Sequence, residues 1–412
     1  MEMIRLQKSE LLAEYQKYKD SGKKLDMSRG KPSAEQLDNM TSLLTEISDI
    51  DGCFSENGID CRNYGCLEGI PEAKRLFAAI LGVRESNVIV CGNSSLNIMF
   101  DTVSNAYTFG LHGCVPWSRQ GRIKFLCPVP GYDRHFAITK LFGIEMINIP
   151  VLCDGPDMEL VRKYAENDPA VKGIWCVPKY SNPTGVTYSD RVVREFAALK
   201  PAAKDFTVIW DDAYAVHDLN DTPDQLLPVL PLAERNGNAD HFYLYTSTSK
   251  ISWSGAGISC VAMSENSKAE FLDIMKVKTI GFDKLAMLRH ARLLCRSLGD
   301  VMKMHASVIR PKFELCYKYF ERLAADIEGF TYSRPNGGYF INVNVPAGKA
   351  KAIVKLASDA GLKLTPAGAT FPYGVDPADS NIRIAPTFPT LAELEDALVL
   401  FDICVRLACA EG

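Results

Sequence analysis

The chain of 412 residues has no CxxC pair and no cysteine–histidine cluster at zinc-finger spacing, which removes the commonest cysteine-based metal sites. It has no internal repeat and no low-complexity linker. It also lacks a long hydrophobic run. The most apolar stretch, 397–410, is interrupted by Asp402 and Arg406 and is too short and too charged to span a bilayer. The first 26 residues are dense in charge and lack the apolar segment of a secretory leader. Leu6, Leu11, Leu12, Tyr15 and Tyr18 predict an amphipathic helix there instead. Neither sign of charge dominates: 46 Lys and Arg stand against 50 Asp and Glu, a net charge of −4. That balance argues against broad binding to nucleic acid or anionic membranes. These absences leave small-molecule chemistry in the cytoplasm. The 13 cysteines, an odd number, are expected to be reduced thiols, many of them buried as small hydrophobes.

Apolar residues make up 47% of the chain and charged residues 23%, as in ordinary globular proteins. A chain of this length buries a large core without disulfides. At about 150 residues per domain it divides into two or three domains, or a large one with a smaller one attached. Short β-rich runs at 87–91, 123–127, 144–149, 173–177, 207–210, 242–246 and 258–263 read as strands. Most are continuously apolar, as in a sheet covered on both faces. Helical patterns fall between them at 94–107, 133–141, 157–165 and 189–199. The alternation predicts an α/β fold with a mostly parallel seven-stranded sheet in a large domain, residues 48–300. Residues 1–47 and 301–412 are expected to form a small α+β domain. In it, 300–323 reads as one helix despite Pro311, and further helices lie near 349–360 and 391–408. A hairpin-like pair is expected around 337–341 and 381–384.

Five places carry chemistry. Lys250 ends Tyr245-Thr246-Ser247-Thr248-Ser249-Lys250, just past a strand, where an open α/β sheet has its ligand crevice. A lysine desolvated there becomes an imine-forming amine, and otherwise it is a surface lysine. Asn182, in Ser181-Asn182-Pro183-Thr184-Gly185, is either a turn former or a donor into the same crevice. Asp211 and Asp212 close an apolar strand, as a crevice carboxylate, a helix cap or a metal pair. Only His217 lies at ligand spacing from them, which weakens the metal reading. Ser94 and Ser95, between a strand and a helix, suit a phosphate or simply cap the helix. Arg383 suits a bidentate carboxylate or a surface ion pair.

In this order, the candidates resemble the fold-type I pyridoxal 5'-phosphate (PLP) aminotransferases, and most closely the subgroup Ic aspartate aminotransferases. The resemblance runs from about Ser28 to Phe388. It rests on Ser28-Arg29-Gly30-Lys31-Pro32, Asn63-Tyr64-Gly65-Cys66-Leu67-Glu68-Gly69, Ser247-Thr248-Ser249-Lys250-Ile251, Gly255-Ala256-Gly257 and Arg383-Ile384-Ala385-Pro386-Thr387-Phe388-Pro389. It implies that Lys250 holds PLP as an imine and moves the α-proton. By the same likeness Asp211 pairs with the ring nitrogen, and Asn182 and Tyr214 bond the phenolate oxygen. Tyr132 stacks on the ring, while Ser94, Ser95 and Ser247 hold the phosphate. Tyr64 reaches that phosphate from the partner subunit of a homodimer with shared active sites. Arg383 clamps the substrate α-carboxylate, backed by Gly30.

The implied activity is ping-pong transfer of an amino group between an amino acid and a 2-oxo acid, with aspartate and 2-oxoglutarate as the expected pair. The alternatives are a PLP-dependent β-eliminating or decarboxylating lyase and a PLP-sensing regulatory domain. The regulator would need a helix-turn-helix unit ahead of Ser28, where only 27 residues stand. One departure is visible. Many relatives carry a phosphate-binding arginine about eight residues after the lysine, and here that stretch is Ser254-Gly255-Ala256-Gly257-Ile258-Ser259. Ser249, Ser254 or a distant cation is expected to compensate. For a distal substrate carboxylate the chain offers Arg29, Lys31, Lys179 and Lys284, with Lys284 or Arg29 expected to serve. His135 is expected to pack or face solvent, Glu68 and Asp212 to be structural, and 287–304 to be helix core.

Overall fold

The computed structural model describes residues 8–41, 43, 44, 47 and 51–410. Leu6 of the expected N-terminal helix, and residue 48 at the expected domain boundary, lie outside them. The seven apolar runs form the strands β1 (Val88–Cys91), β2 (Lys124–Val129), β3 (Glu145–Leu152), β4 (Val171–Cys176), β5 (Thr207–Asp211), β6 (Phe242–Ser247) and β7 (Ser259–Ala262). Every residue of β1, β4, β5, β6 and β7 is buried, which explains why these runs show no polar alternation. Their order across the sheet is β1-β7-β6-β5-β4-β2-β3. Strands β2 to β6 run parallel, and β7 is antiparallel to both its neighbours. An eighth strand, the two residues Gly155–Pro156, pairs antiparallel with the end of β3. A Gly-Pro dipeptide reads as a turn, so the expected count of seven was one short.

Helices follow the strands where expected. Asp157 caps Met158–Ala165 by accepting from the Glu159 and Leu160 amides, and Ser189 caps Asp190–Ala197 by accepting from the Val192 amide. The expected helix from residue 300 is the second part of a longer one, Lys284–Asp326. The regular path breaks at Ser297 (φ −135, ψ 17), and Ser297 Oγ donates to the Leu293 carbonyl at 2.7 Å.

The small sheet contains β8 (Ile341–Asn344) and β9 (Asn381–Ile384), paired antiparallel with Asn342 opposite Arg383, and a two-residue edge strand Thr331–Tyr332. The pair is not a hairpin, because the helix Ala350–Asp359 and a long loop lie between its strands. Leu11 and Tyr15 of the helix Lys8–Ser21 share one core with Phe313, Phe320, Ile341 and Leu398, whereas Leu12 is exposed. Leu25–Asp26 pairs parallel with Leu362–Lys363, and the Ala385 amide donates to the Met27 carbonyl. These bonds lay residues 28–31 beside β9. Among the described residues no helix is long and apolar enough to cross a membrane.

Candidate active site

Parallel strands deliver their carboxyl ends to one edge of a sheet. Asp211 ends β5, Asn182 follows β4, Ser247 ends β6 with Lys250 just beyond, and Ser94 follows β1. At this edge lies a cleft of about 580 Å3, lined by all five. Its far wall comes from the small sheet and the N-terminal segment through Arg383, Phe340, Thr365 and residues 28–31.

Asp211 is buried, with Oδ2 3.1 Å from His135 Nε2. Its other oxygen, Oδ1, is buried and has no hydrogen-bond partner among the described residues. A buried carboxylate oxygen without a donor is costly, so this atom is suited to a ligand N–H. The protonated ring nitrogen of PLP is such a donor, and the cleft fits the cofactor on this ground. His135 does not face solvent. It is buried, stacked on Trp175 with ring centroids 4.4 Å apart, and meets the edge of Tyr132 at 4.9 Å. Because the carboxylate only accepts, Nε2 carries the proton in this contact. The readable signal was its position three residues after Tyr132, on the first turn of the helix Asp133–Leu141. Asp212 turns away from Asp211, as successive strand residues do. It lines a separate cavity of about 250 Å3, which disfavours a metal pair.

Lys250 Nζ lies 4.7 Å from the centre of the Tyr214 ring. Desolvation lowers the lysine's pKa, and the Asp211 carboxylate partly opposes this. The neutral amine is therefore more available than in water. Burial, reinforced by nearby Tyr132 and Asp211, pushes the Tyr214 hydroxyl well up, so it is a hydrogen-bond donor at neutral pH. Tyr132 is pushed up to about 12 by burial first and Asp211 second.

The phosphate-like end is made of hydroxyls and free amides. The Ser94 side chain precedes the helix Ser95–Phe109 without capping it; the Asn97 amide donates to the Ser94 carbonyl at 3.2 Å, and the Ser95 and Leu96 amides are left to a ligand. Ser94, Ser95, Ser247 and Ser249 line this part of the cleft, with Ser247 Oγ and Ser249 Oγ 2.9 Å apart. Ser254 does not line it, because its hydroxyl donates to the Ser249 carbonyl at 2.6 Å. Of the two hydroxyls expected to replace the arginine, only Ser249 lines the cleft, and its hydrogen goes to the Asn93 carbonyl at 3.1 Å.

Arg383 is held on several sides. Nη1 donates to Asp133 Oδ1 at 2.8 Å and to Asn182 Oδ1 at 3.2 Å, Nε reaches Thr365 Oγ1 at 3.4 Å, and the guanidinium lies 4.9 Å over Phe340. Gly30 is the only residue that fits here: a Cβ on it would sit 2.3 Å from Phe340 Cζ. Arg29 and Lys31 line the cleft, joined by Arg134 and Lys363, which the sequence reading missed.

Two expected residues lie outside this chain's own cleft. Tyr64 is 81% exposed. Lys284 is buried, and its ammonium donates to the carbonyls of Asn63 and Gly65. It braces the backbone on either side of Tyr64, so within the subunit it is not a distal-carboxylate ligand. Lys179 is likewise committed, to the Ala215 carbonyl and Asp218.

A family model described as aspartate amino-transferase matches residues 3–412. An aspartate aminotransferase of Corynebacterium glutamicum is 42% identical over 414 aligned positions, covering 100% of this chain and 95% of that protein. A crystal structure of an aspartate transaminase from the same organism superposes with a TM-score of 0.94 at 41% identity, covering 98% of this chain and 96% of that one. The fold is shared further with an alpha-aminoadipate aminotransferase of Thermus thermophilus complexed with N-(5'-phosphopyridoxyl)-L-leucine, at a TM-score of 0.76 and 18% identity, covering 99% and 97% of the two chains. The match spans both lobes of the cleft, and the chain belongs to the aspartate aminotransferase family of PLP-dependent enzymes.

Proposed function

We propose that this aminotransferase works on dicarboxylic substrates, taking the amino group from aspartate and passing it to 2-oxoglutarate by a ping-pong mechanism. One observation carries the substrate class. Besides Lys250, the cleft is lined by five cations, Arg29, Lys31, Arg134, Lys363 and Arg383, against two carboxylates, Asp133 and Asp211. Such a field concentrates small anions and rewards a second carboxylate.

PLP, when bound, supplies an electron-poor ring that takes up the charge left at the substrate α-carbon. Asp211, steadied by His135, accepts the ring N–H and keeps that proton in place. Lys250 is the anchoring amine and the proton carrier, since burial favours the neutral form that attacks a carbonyl or removes an α-proton. Tyr214 donates from its hydroxyl. Asn182 spends its carbonyl on Arg383 and keeps its NH2 for the cleft. Ser94, Ser95, Ser247 and Ser249 receive the phosphate, and Tyr132 covers the ring. Arg383 grips the α-carboxylate, and Arg29, Lys31 or Lys363 meets the distal one.

We further propose a cytoplasmic homodimer in which Tyr64, exposed and braced by Lys284, completes the partner's phosphate site. The 48–300 unit would carry the cofactor, and the terminal segments would close the cleft. The test is product analysis of holoenzyme given aspartate and 2-oxoglutarate. Oxaloacetate and glutamate in equal amounts are expected. Alanine from aspartate, or turnover without an oxo acid, overturns the reading in favour of a lyase.

A further inference from the structure

Beneath the cleft, four distant segments meet in a buried hydrogen-bond relay whose side chains do not line it. Gln36 lies in the helix Ala34–Thr41, His305 in the long helix, Tyr339 just before β8, and Lys250 and Ile251 after β6. Gln36 and Tyr339 are fully buried and His305 is 2% exposed. Gln36 Oε1 accepts from the Ser33 amide at 3.1 Å. Gln36 Nε2 lies 3.1 Å from both His305 Nδ1 and Tyr339 Oη. His305 Nε2 is 2.7 Å from the Ile251 carbonyl, and Tyr339 Oη is 3.2 Å from the Lys250 carbonyl.

The proton directions are forced. Carbonyl oxygens only accept, so the Tyr339 hydroxyl donates to Lys250 and His305 Nε2–H donates to Ile251. A neutral His305 then offers Nδ1 as an acceptor, and Gln36 supplies one amide hydrogen to it and the other to the tyrosine oxygen. Every donor and acceptor of the glutamine side chain is used, which fixes its orientation. Burial, only partly opposed by the Ile251 carbonyl, lowers the His305 pKa and favours this neutral form.

The relay has two ends that the reaction needs together. One is the backbone of Lys250 and Ile251, from which the lysine side chain rises beside Tyr214. The other is the N-terminal segment, whose residues 28–31 line the cleft shortly before Ser33 and Gln36. We propose that Gln36, His305 and Tyr339 are positioning residues that tie the Lys250 backbone to the N-terminal wall and so set the reach of the Lys250 amine. The inference rests on the reading of Lys250 as the anchoring amine.

The test uses holoenzyme carrying Tyr339→Phe, which removes one oxygen and keeps the ring, alongside Gln36→Leu and the double variant. Three quantities are read: the kcat and KM for aspartate, the pH midpoint of the visible absorption of substrate-free enzyme, and thermal stability. The expected result for Tyr339→Phe is a fall in kcat of about 10-fold to 100-fold with KM little changed, the scale that a small misplacement of a reacting group produces. The absorption midpoint should shift, and the double variant should be no worse than the poorer single. A variant that melts earlier but keeps the parent midpoint and kcat overturns the proposal, as do strictly multiplicative effects in the double variant. Gln36→Leu is not essential, since the Tyr339→Phe arm decides if the other fails to fold. Lys250→Ala holoenzyme separates the two readings. A pH-dependent visible band that persists without Lys250 refutes the role of Lys250 itself, whereas a band lost there but unshifted in Tyr339→Phe refutes only the relay.

Discussion

In the ligand-free cleft Arg383 is already engaged by Asp133, and Asp133→Asn should therefore tighten substrate binding. The two hydrogens of Arg383 Nη1 go to Asp133 and Asn182. A substrate carboxylate docking across Nη1 and Nη2 has to displace one of them, and the like charge of Asp133 opposes any carboxylate nearby. The pair is unevenly buried, with side-chain exposures of 7% for Arg383 and 34% for Asp133. Exposed pairs are worth at most ~1 kcal/mol, and breaking a fully buried pair costs ~3–5 kcal/mol. A value of about 1.4 kcal/mol for this intermediate case corresponds to a tenfold change in affinity. Losing Asp133 should not disorder Arg383, because Asn182, Thr365 and Phe340 still hold it. The carboxylate also sits in the first turn of the helix Asp133–Leu141, where its removal costs roughly 0.5 kcal/mol of helix stability. The measurement is steady-state KM for aspartate together with the inhibition constant of an unreactive dicarboxylate, at low and high salt. Both constants should fall about five- to tenfold with kcat unchanged, and added salt should narrow the gap. A rise in KM would show that Asp133 orients the guanidinium instead, and an unchanged KM would show that it stays aside; either result refutes the competition argument.

Three other predictions follow from the same geometry. His135→Phe keeps the stack on Trp175 but removes the donor to Asp211, a charge-assisted bond worth ~1.5–3 kcal/mol. Cofactor retention and kcat should each drop by an order of magnitude or more, as followed by dialysis and single-turnover absorbance, and parental values would remove His135 from the site. Asp212, pushed by burial from 3.8 to about 7, binds its proton more tightly folded than unfolded. Its contribution to stability is therefore lost as pH rises from about 4 to 7, by up to ~4 kcal/mol. Denaturant melts of Asp212→Asn should lose that part of the pH slope, and an unchanged slope would mean that Asp212 does not titrate in this range. Finally, Tyr64→Ala and Lys250→Ala chains, each impaired alone, should regain activity when refolded together, while no gain in demonstrated heterodimers would place Tyr64 outside the partner's site.

The large sheet was legible because most of its long strands are continuous apolar runs buried on both faces, although β3 alternates between buried and more exposed positions. Gly155–Pro156 was invisible because two residues carry no period. The long helix was read in pieces, 287–304 as helix core and 300–323 as a connecting helix, and its break at Ser297 was not seen because serine does not announce a kink. In the site, Asn182, Asp211, Lys250 and Arg383 stand at strand ends or in a short strand, where local sequence and topology coincide. His135 and Asp133 were missed for a different reason. Their roles depend on Trp175 and on β9, partners far along the chain, and on a helix whose first turn reads as ordinary. The relay of Gln36, His305 and Tyr339 is the extreme case, with three polar residues of unremarkable type in three apolar surroundings. Lys284 shows the opposite case. Its sequence position suggested a ligand, but within its own subunit it is buried with its ammonium on the Asn63 and Gly65 carbonyls.

The charge of the cleft ties these pieces together. Leaving Lys250 aside, five cations against two carboxylates give an excess of three positive charges. Arg29 and Arg134 are exposed, so water screens them and their main effect is to steer anions inward. Arg383 is not exposed, and an unmatched guanidinium there would be expensive. Asp133 and the Asn182 carbonyl match it while the cleft is empty. A phosphate group brings about two negative charges, which leaves about one positive charge of that excess to meet an anionic substrate. The same electrostatics that engage Arg383 with Asp133 in the empty cleft thus draw an anionic substrate into it.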